Sequence, residues 1–261
     1  MTKDGTLNGM KDVAKLGLNA MECEFVRGVR MKSELAEEAG KLAKELKIEL
    51  TIHAPYFINL CSEKKEIIES SKRRILDSAD RGERMDAKAI AIHSAYYSGL
   101  NSEQALEKTQ EGFLNILDKM KQQGIKNVKL GIETMARESQ FGTLDEVIEL
   151  CKKTKGVIPY IDWAHIFARN GGKINYGEVF DKLKALKLDH IYSHFEGVKY
   201  NVQTKKFVDV HVPINSHPPF EELAKEVLKR RINITIISES PILEQDSLKM
   251  KNIFEKLGHK F

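Results

Sequence analysis

Short apolar, β-branched runs recur along the chain at nearly even spacing: AMECEF (20–25), IELTIH (48–53), AIAIHS (89–94), VKLGIE (128–133), VIPYID (157–162), DHIYSHF (189–195) and INITIISES (232–240). Between them lie charged segments whose apolar residues return every three to four positions, at 33–47, 65–84, 102–124, 143–154, 176–187 and 219–231. The first kind of run predicts strands and the second predicts amphipathic helices. Local signals agree. Ser102 precedes acidic groups, Thr143 precedes Asp145 and Glu146, and Gly124 follows the longest helical segment. These suit two helix starts and one helix stop.

Alternation of strand and helix implies parallel strands joined by right-handed crossovers. Seven strands stand beside about eight helical segments, counting the opening MKDVAKLG and the closing LKMKNIFEKLG. That is one strand short of a (β/α)8 TIM barrel. A doubly wound open sheet is the competing fold, but no GxGxxG follows any strand. The chain opens on a turn and a helix, so the first strand is the one expected to be missing. No linker or composition break divides the sequence, which predicts one domain over residues 1–261.

Composition narrows the class only a little. Apolar residues make up 41% and charged residues 31% of 261 positions, an ordinary globular balance. No apolar run reaches the roughly 18 residues that a membrane span needs. The N-terminus lacks the apolar segment of a secretory signal, and Cys23, Cys61 and Cys151 are widely spaced without a CxxC. Reduced thiols and a cytoplasmic location are expected. A formal charge of +4 permits a polyanionic partner without demanding one. The clusters at 72–74 and 229–231 fall in helical patterns and read as solvated faces.

The chemistry lies in the phase of the polar residues. Strand after strand ends on a group that can hold a metal: His53, His93, Glu133, Asp162 with His165 just beyond, His194 and Glu239. The loop segment VDVHVP adds Asp209 and His211. In a parallel barrel these C-terminal ends meet on one face, where active sites form. Imidazole nitrogen and carboxylate oxygen are the donors zinc takes where sulfur is absent. Nine donors exceed one tetrahedral ion and suit two or three ions, with a carboxylate bridging. Four crowded carboxylates without cations could not all stay ionised. Any one of these residues alone is weak; their shared position is the signal.

The segments HAPYFINL (53–60), IAIHSAYY (90–97), GIETMA (131–136), YIDWAHIFARNG (160–171), YSHFEG (192–197), VDVHVPIN (208–215) and ISESP (237–241) resemble, in order, those of the endonuclease IV family of abasic-site endonucleases. The resemblance covers nearly the whole chain. It implies a barrel with three zinc ions: His53, His93 and Glu133 on the first; Glu133 as a bridge, with Asp162, His194 and Glu239, on the second; and His165, Asp209 and His211 on the third. It implies hydrolysis of the phosphodiester 5′ to an abasic site in duplex DNA, leaving a 3′-hydroxyl and a 5′-deoxyribose phosphate. Glu133 and Glu239 are then the catalytic carboxylates, Glu239 also orienting the attacking hydroxide. The resemblance further implies a monomer, with the missing first strand leaving an open seam between the strands at 20–25 and 232–240.

Family members flip the damaged nucleotide out of the duplex and fill the gap with loop side chains. The matching positions here are Arg30, with Arg27 competing for its role, Tyr56, and Phe57 where an aliphatic residue is common. Arg137, Arg169 and Lys199 follow strand ends and are expected on phosphates. Two other readings stay open. A sugar isomerase or epimerase on the same barrel would hold one or two magnesium or manganese ions. An inactive DNA-binding remnant would bind an abasic duplex without cutting it.

Overall fold

Leu50 and Ile52, Ile90 and Ile92, and Leu130 and Ile132 each stand two apart, and all are buried in one large cluster with apolar residues of the flanking helices. Ala89 and Ala91, which alternate with Ile90 and Ile92, belong to a separate small cluster with Tyr160 and Tyr192. Residues two apart on a strand share a face, so the sheet has a helix-covered outside and a side-chain-filled inside.

The computed structural model describes residues 5–261. The chain runs α1 (Gly5–Lys15), β1 (Ala20–Glu24), α2 (Ser33–Leu46), β2 (Glu49–His53), α3 (Lys65–Arg84), β3 (Ala89–Ile92) and β4 (Ala95–Tyr96). It continues with α4 (Ser102–Gln122), β5 (Lys129–Glu133), β6 (Gln140–Phe141), α5 (Leu144–Lys153), β7 (Val157–Asp162), α6 (Trp163–Arg169) and α7 (Tyr176–Leu183). It closes with β8 (Ile191–Phe195), β9 (Gly197–Asn201), β10 (Lys206–Val212), α8 (Phe220–Arg230), β11 (Ile234–Ser238) and α9 (Glu244–Lys256). Seven strands form one sheet in the order β1-β2-β3-β5-β7-β8-β11, every neighbouring pair parallel. The expected TIM-barrel architecture is present as a nearly closed barrel of seven strands.

Large and small residues alternate inside it. Tyr160 is fully buried and stacks on Tyr192 with ring centroids 6.3 Å apart. Gly131 makes room for it: a Cβ there would fall 2.8 Å from Tyr160 Cδ2 and 2.9 Å from the Ile90 carbonyl oxygen. Interiors are packed too tightly to absorb such an overlap cheaply. Lower down, the Thr235 hydroxyl donates to Glu49, tying β11 to β2 across the interior.

The seam falls where the sequence placed it. β1 and β11 are the two edges of the sheet. Between them runs a groove of about 1000 Å³, lined by α1, both edge strands, α8 and α9. None of the nine strand-end and hairpin candidates lines this groove.

Helix starts follow the sequence signals with one shift. Thr143 caps α5 in a capping box with Glu146, while α4 is capped by Asn101 with Gln104 rather than by Ser102. Gly124, just past α4, takes φ 75°, as a helix stop requires. Three features were not anticipated: α6, the short β4–β6 pair, and the β9–β10 hairpin. Asp209 and His211 therefore sit on a strand, β10, and not in a loop. No helix among the described residues is long and apolar enough to cross a membrane.

Candidate metal centre at the barrel mouth

The strand-end residues converge. Glu133, at the end of β5, is fully buried and sits among four imidazoles. Its Oε2 lies 3.4 Å from His53 Nε2 and 3.1 Å from His93 Nε2. Its Oε1 lies 3.3 Å from His194 Nδ1 and 3.6 Å from His165 Nδ1. His194 Nδ1 is also 3.7 Å from Glu239 Oε2. Three sets of donor atoms gather closely enough to hold an ion each: His53, His93 and Glu133; Glu133, Asp162, His194 and Glu239; and His165, Glu196 and His211.

Local structure aims each group. Asp162 ends β7 and caps α6, its Oδ1 accepting from the His165 backbone N–H at 2.6 Å. Its Oδ2 stays within the pocket, 3.3 Å from His165 Nδ1. Thr134 pins the two strand ends together: its Oγ1 accepts from Asp162 N and donates to Asp162 O. The fully buried Trp163 packs on Tyr176 and Phe180, which fixes α6 and hence His165. On β10, Asp209 and His211 stand two apart, beside a register shift between Val208 and His211 that re-aims this stretch of strand.

The imidazoles share a hydrogen-bond logic. His53 Nδ1 donates to Ala54 O at 2.7 Å, His165 Nδ1 to Thr134 O at 2.9 Å, and His211 Nδ1 to Glu239 O at 3.0 Å. A carbonyl only accepts, so each Nδ1 carries a proton and Nε2 is the nitrogen that faces the pocket. His194 is reversed: Nε2 faces Glu22 Oε1 at 2.9 Å, leaving Nδ1 toward Glu133 and Glu239. Metal-binding histidines are held in this way, one nitrogen on a protein acceptor and the other free.

Electrostatics reflect crowding. Burial pushes His53 down, but the Glu133 carboxylate 3.4 Å from its Nε2 carries it up to about 9. Burial likewise opposes charge on His211, yet Asp209 and Glu196 raise it to about 10. Glu133 resists burial through the charges of His93 and His194 and stays well below the usual carboxylate range. Asp162 and Glu239 move upward, chiefly through burial. Several polar atoms are buried without a hydrogen-bond partner: His53 Nε2, Glu133 Oε2, Asp162 Oδ2 and both carboxylate oxygens of Glu196. Unpartnered polar atoms at one spot are costly unless a cation satisfies them. The donor set, nitrogen and carboxylate oxygen without sulfur, fits zinc or a similar divalent ion.

Among the expected DNA contacts the outcomes differ. Tyr56 lies over the mouth, its ring 5.0 Å from His53 and 5.5 Å from His93. Phe57 is 61% exposed, on a loop whose next residues, Ile58 and Leu60, are buried. Arg74 holds that loop by donating to Phe57 O at 2.9 Å, a role its place in a charged helical cluster did not reveal. Arg30 and Lys199 are exposed, on the segment after β1 and on β9. Arg137 is paired with Asp209 Oδ2 at 3.0 Å. Arg169 is directed inward: its Nη1 donates to the carbonyls of Met135, Arg137 and Gln140. It braces the loop after β5 and is not turned outward as a phosphate contact would be.

Two site carboxylates escaped the sequence reading. Glu22, in mid-β1, has a buried side chain that accepts from Thr51, Tyr160 and His194. Glu196 follows β8 and is fully buried, with Oε1 3.8 Å from His211 Nε2. The signal for both was period two: Glu22 interrupts an apolar strand, and Glu196 stands two beyond His194, on the same face.

Fold and site together define a parallel α/β barrel whose C-terminal mouth is lined with groups able to hold divalent cations. The chain belongs to the xylose isomerase-like TIM barrel family, which it matches over residues 10–255. It is 32% identical over 254 residues to an uncharacterized protein of Methanocaldococcus jannaschii, covering 93% of this chain and 89% of that one. It is 24% identical over 248 residues to "Probable endonuclease 4" of Halothermothrix orenii, covering 88% and 84%. A protein of the same name from Sulfurihydrogenibium sp. is 29% identical over 145 residues, 54% of this chain and 50% of the relative. Among solved structures, endonuclease IV from Thermus thermophilus superposes with a TM-score of 0.74 at 19% identity, covering 98% and 95%. A D-tagatose 3-epimerase-like protein superposes with 0.76 at 18% identity, covering 97% and 93%. At these identities the superpositions speak to the fold alone.

Proposed function

We propose that this barrel is a zinc-dependent endonuclease of DNA repair, which hydrolyses the phosphodiester 5′ to an abasic site in duplex DNA. The observation that carries the reading is the set of three adjoining donor groups around Glu133, His194 and His165, more than a single-ion enzyme needs. Relatives named "Probable endonuclease 4" support it from the sequence side. His53, His93 and Glu133 would hold one ion, and Glu133, Asp162, His194 and Glu239 a second. His165, Asp209 and His211 would hold a third. When bound, such ions supply Lewis acidity to the phosphate and make water acidic enough to attack near neutral pH.

The chain's own residues provide position. Glu239, at the end of β11, orients the attacking water with its carboxylate. The water oxygen joins phosphorus as the P–O3′ bond breaks, and the proton the water gives up balances the one the departing oxygen takes to become the 3′-hydroxyl. Phe57 projects from an anchored loop and fills the gap left by the missing base, while Tyr56 covers the pocket beside it. Extrusion costs least where stacking is already lost, which selects abasic sites. Arg30 and Lys199 are placed for phosphates, and Arg137 holds Asp209 in position.

One observation favours a second reading. Glu133, Asp162, His194 and Glu239 form a complete four-donor set by themselves, enough for one hard cation of a sugar epimerase. Metal content separates the two. Elemental analysis of the purified chain should find three zinc ions per molecule. One or two exchangeable manganese or magnesium ions, with turnover of a ketohexose, would replace the endonuclease reading with the epimerase.

A further inference from the structure

Among the described residues, Glu196 is the carboxylate with both oxygens buried and unpartnered. It is fully buried, and neither Oε1 nor Oε2 has a hydrogen-bond partner. The imidazole beside it is His211, with Oε1 3.8 Å from Nε2, beyond hydrogen-bond reach. Protonation would not settle it, because a neutral carboxyl adds an O–H donor that needs an acceptor of its own. A buried carboxylate persists when it is paired, hydrogen-bonded or on a metal.

Its surroundings point to the last of these. Donor atoms of Glu196, His165 and His211 lie within 4.8 Å of one another. Both histidines donate Nδ1 to backbone carbonyls and present Nε2 to the pocket. Asp209 Oδ1 meets the same nitrogens, 3.4 Å from His165 Nε2 and 3.5 Å from His211 Nε2. Its Oδ2 is taken by Arg137. Two imidazoles thus face two carboxylates.

We infer that Glu196 is a metal ligand, and that with His165, Asp209 and His211 it encloses the third ion in four protein donors. This rests on the metal-centre reading above and deepens it. Four protein ligands make a closed zinc site of structural type, whereas a catalytic site keeps a position open. The third ion then stays fixed between β8 and the β9–β10 hairpin, and substrate binds at the other two positions. Glu196 therefore holds an ion that organises the mouth and leaves the chemistry to its neighbours.

The test begins with the zinc-loaded wild-type chain, by diffraction with zinc-edge anomalous maps. Glu196 should lie within about 2.0–2.2 Å of the third ion. The variant Glu196→Gln keeps the shape and removes the charge. A graded chelator should strip one zinc of its three at a concentration at least about 10-fold lower than from wild type, the scale seen when even an outer partner of a ligand is lost. The metal-free variant should melt no lower than metal-free wild type, because it no longer buries a carboxylate. Three zinc ions with unchanged third-ion affinity in the variant, or an anomalous map with Glu196 away from metal, would overturn the assignment of Glu196. A lower melting point of the metal-free variant would also overturn it, marking Glu196 as structural. Wild-type protein that holds no zinc at His165 and His211 would instead overturn the metal centre itself.

Discussion

The Nε2 of His194 and the Oε1 of Glu22 are joined across 2.9 Å, although the two residues lie 172 positions apart in the chain. Glu22 also accepts from the Tyr160 hydroxyl and from Thr51, so its carboxylate is fixed by three strands. The contact makes Nδ1 the donor atom of His194. Glu22→Gln, which can offer an N–H to His194 in place of an acceptor, should lower affinity for the ion at Glu133, Asp162, His194 and Glu239 about 10- to 100-fold. Metal titration of the variant against wild type checks this. Equal affinities would mean that the contact is structural only.

Glu133 joins two of the three donor groups. Glu133→Gln should therefore remove two ions together and leave the third. Activity should fall by more than the roughly 10- to 100-fold that follows loss of an outer partner. Zinc content read beside activity is the check. Loss of one ion alone would show that Glu133 does not bridge.

Phe57 is a surface residue by packing and an insertion residue by the proposed function. Phe57→Ala should leave the melting curve nearly unchanged, within about 0.5 kcal/mol. It should weaken binding of an abasic duplex by about 1–3 kcal/mol, or roughly 5- to 150-fold. Fluorescence anisotropy with abasic and undamaged duplexes separates the effects. Unchanged preference for the abasic duplex would remove Phe57 from recognition.

Glu146 links three elements away from the mouth. Its carboxylate accepts from Tyr97 OH, Ser102 Oγ, and the backbone N–H groups of Gly142 and Thr143. Burial pushes its pKa up, but these donors pull it below the usual value. A depressed folded-state pKa gives stability that is present above the unfolded value, about 4.3, and is lost as pH falls through the folded value. The melting-point gap between wild type and Glu146→Gln should therefore be large at pH 7 and shrink in acid. An equal gap at both pH values would contradict the assignment.

Much of this was legible in the chain. Apolar runs placed the seven barrel strands within a few residues, because period two and period 3.6 leave different traces. His53, His93, Glu133, Asp162, His194 and Glu239 were visible because each arrives at the same end of its strand. Glu22 and Glu196 were harder to see, since Glu22 stands in mid-strand and Glu196 just past a strand end, away from the position the other ligand candidates share. Helix α6 was hidden by its seven residues, and β4 and β6 by two each. Arg169 looked outward-facing in sequence because the carbonyls it braces lie about 30 positions away. The β9–β10 hairpin owes its strand character to pairing across a turn that the residues between do not announce.

The central claim is that the mouth of this barrel cuts DNA beside a missing base. An end-labelled duplex carrying one synthetic abasic site tests it, incubated with the zinc-loaded chain and with a chelator-treated control, with product ends mapped. The expected result is a single cut 5′ to the site, leaving a 3′-hydroxyl, and no cut after chelation. An intact duplex, with folded protein shown to hold its zinc, would contradict the claim.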